Sequence, residues 1–330
     1  TNNYSYAAAG ALLGISIGTA LSSFYLVVKY RVSNKHEFSA EQMMSASPAA
    51  SSRDTLKRLV LIAIPIVLGS LVNNVTSLID VAMVQGQLAS ALAKAPGYFE
   101  TVYAGLISSG IEQNPAFDVM KDLPNSLYGC HRGYAIYNLV PVLTSVLGVS
   151  AIPVLATAWT RHDKAEVKSN IQTMLRTTAI IAIPAGLGIA ALSHNILSLL
   201  YSDENAISIA APNLRILGIC AVFSGLNAPI VSMLQAIGKQ SVPLKNIAVG
   251  AVLKIIINFV LVGTPSINIV GVPIGTTVCY AYICIANFIC LVKHSGVMPN
   301  MMSVLIKPLF SGAVCAAAAF FAARMLPKLI

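Results

Sequence analysis

Charge is what this chain is short of. Of its 330 residues only 10 % are Asp, Glu, Lys or Arg, where a soluble domain carries about 25 %. The shortage excludes an ordinary soluble domain. Polar stretches are also scarce, and the apolar runs between them are long and unbroken rather than alternating, which is not the pattern of a β-barrel. The chain has no HExxH, no GxSxG, no P-loop and no GxGxxG, so the common catalytic signatures are missing. Its five histidines (His36, His131, His162, His194, His294) are scattered, and no two acids share an apolar run. The six cysteines form no CxxC pair. Five of them lie inside apolar runs, where Cys behaves as a small hydrophobe. No soluble domain is left to hold a sugar nucleotide. From this we expect no enzyme, no metal, no cofactor and no disulfide framework.

What is present is hydrophobicity: 56 % of residues are hydrophobic and the mean hydropathy is +0.75. The expected fold class is an all-α polytopic membrane protein with about eight transmembrane helices. The net charge of +9 does not point to nucleic acid, because the cations concentrate in alternate loops, as topology requires. Segments 29–58, 160–176, 238–245 and 293–307 carry 6, 4, 2 and 2 Lys/Arg. The opposite set carries 3 (85–132), 1 (Arg215) and 2 (Arg324, Lys328). The alternation places 29–58 inside, and 85–132 and Thr1 outside.

The most informative stretch runs from Leu234 to Val262. After a turn marked by Lys239 and Lys245, residues Asn246 to Val262 are apolar except for Asn246, Lys254 and Asn258. A run this apolar reads as a spanning helix. A lysine at mid-depth costs about 2.5–3.5 kcal/mol on insertion scales. Either membrane surface is about 12 Å away at 1.5 Å per residue, too far for snorkelling. Asn258 is one turn on, on the same face. The helix is therefore expected to line something polar. The competing reading is structural, with Lys254 bonded to carbonyls of a neighbouring helix.

In chain order, the first expected span is Tyr6–Val28. The Ser/Ala/Pro-rich segment 29–58 is a polar linker between two lobes. The second span, Leu59–Val84, is broken by Pro65 and Gly69 and carries Asn73, Asn74 and Asp80. The long segment 85–132 has a sequence that forces no fold, with a short helix possible around Tyr98–Ser109. Further spans are expected at Gly133–Trp159, Thr177–Leu200, Ile216–Ile237, the Lys254 helix, Ile269–Val292 and Leu309–Ala323. Polar residues at membrane depth among Pro/Gly-broken helices read as a translocation pathway. A channel would more readily show rings of charge.

Several segments together resemble a known family. TLKRLVLIAIPIVLGSLVNNVTSLIDVAMV resembles the seventh helix of the lipid-linked oligosaccharide flippases. The segment with YGCHRGY and LVP resembles their eighth, the PAGLG segment their ninth, and the stretch through GAVLKIIINFVL to CYAYICIANFI their tenth to twelfth. Order and spacing agree over nearly the whole chain. The branch it looks most like is the stage V sporulation protein B and lipid II flippase group, within the superfamily that also holds multidrug and toxin extruders. The resemblance implies two six-helix lobes around a central cavity. It makes 1–28 the last helix of the first lobe, 29–58 a cytoplasmic linker, 59–293 the second lobe and 294–330 an additional helix. With no initial Met and no basic region before the first apolar run, the chain reads as the C-terminal piece of a longer protein. The rest of the first lobe is then a missing partner.

The implied function is alternating-access translocation of a polyprenyl-pyrophosphate-linked oligosaccharide across a bacterial cytoplasmic membrane. The implied partners are this lipid-linked substrate and membrane lipid. Lys254 matches a family lysine and would offset phosphate charge. Arg132 would stand at the outer cavity mouth. Asn74, Asn138 and Asn258 would offer hydrogen bonds to sugar. Asp80 would set a local pKa, bind a coupling cation or cap a helix end. The alternatives are a multidrug or toxin cation antiporter of the same fold, which favours an acidic cavity, and a non-transporting scaffold for envelope synthesis.

Overall fold

The structure, a computed structural model, describes residues 3–32, 51–129 and 133–325. These residues divide into two units, one ending at Lys57 and one beginning at Arg58. The first unit contains helix α1 (Asn3–Val32). It also holds the start of α2 (Ser52–Lys94). Ser51 caps α2, its Oγ accepting from the Asp54 backbone N–H at 3.2 Å, which satisfies one of the orphan donors of the first turn.

The second unit is a helical bundle. Its long helices are the rest of α2, then α6 (Gly133–Thr160), α7 (Lys164–Ala191), α9 (Glu204–Ala236), α10 (Ser241–Val262), α11 (Gly271–Ser295) and α12 (Lys307–Met325). Short helices fill the connections: α3 (Pro96–Val102), α4 (Ala104–Gln113), α5 (Val119–Gly129) and α8 (Ser193–Leu200). Asp163 caps α7 by accepting from the backbone of Ala165 and Glu166, and Asp203 caps α9 by accepting from Ala206. Gly296, with φ of +68°, ends α11 in the left-handed conformation, which glycine adopts without a Cβ penalty.

Among the described residues, seven helices are long and apolar enough to cross a membrane: α2, α6, α7, α9, α10, α11 and α12, the last two with the turns that lead into them. The protein is a multi-pass membrane protein. The first expected span falls on α1, whose described apolar stretch, Leu13–Lys29, is shorter.

Helix α9 is the axis of the unit and packs against α6, α7 and α11. Small residues permit this. A Cβ on Gly218 would lie 2.6 Å from the Ala190 backbone nitrogen, and one on Gly186 2.6 Å from the Gly218 carbonyl. At this crossing α7 and α9 meet backbone to backbone, as small residues allow between membrane helices. Helix α10 packs on α11, and α12 on α7.

Of segment 85–132, residues 85–129 are described; helices stand where a short one was expected around Tyr98–Ser109, and the segment is more ordered than its sequence required. Helix α2 continues past Val84 to Lys94, and α3, α4 and α5 follow. Leu88, Leu92, Phe99, Leu123 and Leu127 are buried together with Val262 and Ile269. Tyr103 Oη donates to Asn268 Oδ1 at 2.6 Å. Residues 96–129 are thus a packed cap on one end of the bundle, with apolar pairs four residues apart such as Phe99 with Tyr103 and Leu123 with Leu127.

Candidate functional site

The site begins with α10. Gly250, Ala251, Lys254, Asn258 and Val262 are its buried residues in the membrane-spanning part, and they fall at the 3–4-residue spacing of one helix face. That face brings Lys254 and Asn258 to the same carboxylate. Lys254 Nζ lies 2.9 Å from Asp80 Oδ2. Asn258 Nδ2 donates to Asp80 Oδ1 at 2.6 Å. Both oxygens of Asp80 are therefore engaged, and all three residues are buried. A lone charge at this depth is expensive. An ion pair whose remaining valences are hydrogen-bonded offsets much of that cost.

Asn258 fits because of a glycine. A Cβ on Gly275 of α11 would overlap Asn258 Oδ1. That oxygen is buried and has no hydrogen-bond partner among the described residues. From the cap, Tyr128 of α5 lies close enough to feel the pair. Burial raises its phenol above its ordinary value of 10; the Asp80 carboxylate adds to the rise and Lys254 opposes it.

Beside the pair is a cavity of about 490 Å³. Helix α2 contributes Pro65 to Ser77 along one wall, with Thr76 and Ser70; Asp80 stands one turn beyond Ser77. Tyr137 and Asn138 come from α6, Asn227 and Gln235 from α9, and Cys279 and Tyr280 from α11. Lys254 is its single charged wall residue among those described. The Tyr137 and Tyr280 rings lie 6.5 Å apart between centroids. Asn227 is the end of a side-chain relay that leads away from the cavity. Asn287 Nδ2 donates to Asn227 Oδ1 at 2.9 Å, and Asn246 Nδ2 donates to Asn287 Oδ1 at 2.7 Å. The relay ties α9, α11 and α10 together across the bundle.

The sequence-derived residues therefore separate into groups. Lys254 and Asn138 line the cavity. Asp80 and Asn258 are not among its lining residues; Asp80 holds Lys254, and Asn258 holds Asp80. Asn74 is exposed and stands outside the wall. Arg132 lies outside the described residues. Tyr137, Tyr280 and Asn287 were not singled out from the sequence. Their signal is weak, since a tyrosine or a single amide in a span is usual packing material. A lining of one ammonium, several amides and hydroxyls, and apolar surface can hold an anionic group and accept or donate hydrogen bonds to a polyol.

Comparison with known proteins gives three findings. The MatE family model matches residues 124–260, a stretch that includes Asn138, Lys254 and Asn258 but not Asp80. The chain is 24 % identical over 160 residues to the lipid II flippase MurJ of Bacillus subtilis (strain 168), covering 48 % of this chain and 29 % of that protein. A solved outward-facing multidrug resistance MATE family transporter of the MOP superfamily aligns with 73 % of this chain and 52 % of its own, at 14 % identity and a TM-score of 0.45. The chain thus spans well under two thirds of either protein's length.

Proposed function

We propose that this chain forms the cavity-bearing second lobe of a flippase that moves a polyprenyl-pyrophosphate-linked oligosaccharide across the bacterial cytoplasmic membrane by alternating access. One observation carries the reading: among the described residues the cavity wall has a single charged group, Lys254, and it is a cation. The MatE match supports a transporter of this superfamily, and the name of the Bacillus relative supports a lipid-linked cargo.

In this reading Lys254 offsets pyrophosphate charge. Asn138 and the wall amides and hydroxyls bond the sugar, while the lipid tail stays in the bilayer. Asn258 and Asp80 position the lysine. Arg132 belongs at the outer mouth. Cargo phosphate and Asp80 compete for one ammonium, so binding weakens the tether between α2 and α10. A ligand shifts a conformational equilibrium only through such differential contacts. A cation antiporter fits the same family model. Its cargo would have to displace Lys254 to reach Asp80.

The test is transport by the full-length protein in proteoliposomes, with a fluorescent polyprenyl-pyrophosphate disaccharide in one arm and a cationic dye in the other. The expected result is movement of the lipid-linked sugar and a fall of at least about tenfold in D80N/K254Q, equivalent to about 1.4 kcal/mol. That variant removes both charges without stranding either. Dye transport without sugar transport, or full sugar transport by the variant, overturns the proposal.

A further inference from the structure

A trough of about 540 Å³, sharing no lining residue with the cavity, runs between α7 and α12, with α9 at its end. Its sides are apolar and include Leu187 and Ala190 of α7, and Ala316 and Phe320 of α12. Small residues on both helices keep the facing surfaces low, which is why a trough exists there. Two guanidiniums line it, Arg215 from α9 and Arg324 from α12. Arg324 lies over the Phe320 ring, 4.7 Å from its centroid. This contact holds a cation on an apolar wall. Among the described residues neither arginine forms an ion pair.

The location makes these charges unusual. Asn205 Nδ2, in the first turn of α9, donates to Ser109 Oγ of α4 at 2.9 Å, so this end of α9 lies on the side of the 96–129 cap. The loop charges make that the cation-poor side, so the topology rule does not account for two arginines here. They come from helices far apart in sequence and meet at one trough.

We propose that this trough binds an anionic phospholipid of the outer leaflet, its phosphate between Arg215 and Arg324 and one acyl chain against Ala190, Ala316 and Phe320. An apolar trough between membrane-spanning helices suits a lipid tail. Guanidinium pairs favour phosphate through charge-assisted, bidentate hydrogen bonds. Charge complementarity selects an anionic headgroup over a zwitterionic one.

The experiment is native mass spectrometry of the full-length protein in an equimolar mixture of phosphatidylglycerol and phosphatidylcholine. The wild type is expected to retain phosphatidylglycerol preferentially. R215Q/R324Q is expected to lose that preference, by about fivefold for each arginine. A316F fills the trough and keeps both charges, and is expected to lower retention as well. D80N/K254Q should leave lipid preference unchanged, which separates this site from the transport cavity. Unaltered phosphatidylglycerol retention in R215Q/R324Q overturns the proposal. So does unaltered retention in A316F, which would mean diffuse surface attraction rather than a site.

Discussion

Helices α2 and α9 are the two longest in the second unit, and both are apolar enough to span a membrane. Their surroundings are opposite. Of the most apolar 18 residues, 72 % are buried in α9 and none in α2. Small side chains contribute to the difference. Helix α9 buries Ala206, Ala210, Ala211, Gly218, Ala221, Ser224 and Gly225, which let neighbours approach from several sides. Helix α2 presents Leu, Ile and Val: Leu59, Leu61, Val67, Leu71 and Leu78 are all exposed. It is fixed mainly at its far end, where Val84, Leu88 and Leu92 enter the cap, and by Asp80. In a membrane a large apolar side chain is equally at home against lipid or protein, so bulk gives no drive to the centre. The central helix is the one that others can touch closely.

The strongest way to break this contrast is to remove the tether of α2. Lys254→Ala leaves Asp80 buried and unpaired, and is expected to cost about 3–5 kcal/mol. Thermal unfolding of the purified protein measures it. D80N/K254Q should recover most of that loss, because no charge is then stranded. If the two variants are equally unstable, the pair does not hold α2.

The next test concerns the axis. Gly218→Leu drives a side chain into the Ala190 and Gly186 backbone and is expected to cost about 3 kcal/mol, at the upper end of the usual range for overpacking. Lower monodisperse yield and a lower unfolding temperature would show it. Wild-type stability in this variant would mean that the α7–α9 crossing is looser than described.

A smaller effect is expected at Gly275. Gly275→Ala pushes Asn258 off Asp80 and should cost about 1–2 kcal/mol. The loss should largely vanish in an Asn258→Ala background, since neighbours in one network are not additive. Equal losses in both backgrounds would place the strain elsewhere.

The smallest effect is the control on α2. Leu78 is 72 % exposed, and Leu78→Ala should change stability by less than about 0.5 kcal/mol. A large loss would show that this face of α2 is covered by protein.

Much of the site was legible in the sequence, though unevenly. Lys254 stands out because a charge in an apolar run is costly wherever the helix sits. Asn258 follows from its four-residue spacing. The link to Asp80 was not legible: Asp80 is 178 positions from Asn258, and hydropathy carries no information about which helix a polar face meets. The relay Asn246–Asn287–Asn227 was hidden for the same reason. Of the cap from residue 96 to 129, a short helix around Tyr98–Ser109 was legible, but its packing was not, because its helices are too short for a periodic pattern to show which face is buried, although Phe99 with Tyr103 and Leu123 with Leu127 carry the spacing.

The sequence by itself determined that this is a multi-pass helical membrane protein, where most of its spans lie, and that one cation sits at mid-depth. These follow from composition and local periodicity, which act residue by residue along the chain. Tertiary structure decided that the cation is shared between a carboxylate behind the wall and the cavity in front of it, that α9 is the axis, and that two arginines line one apolar trough. Those outcomes depend on which helix faces approach. Close contacts at Gly186, Gly218 and Gly275 set that approach, and no property of a single helix encodes it.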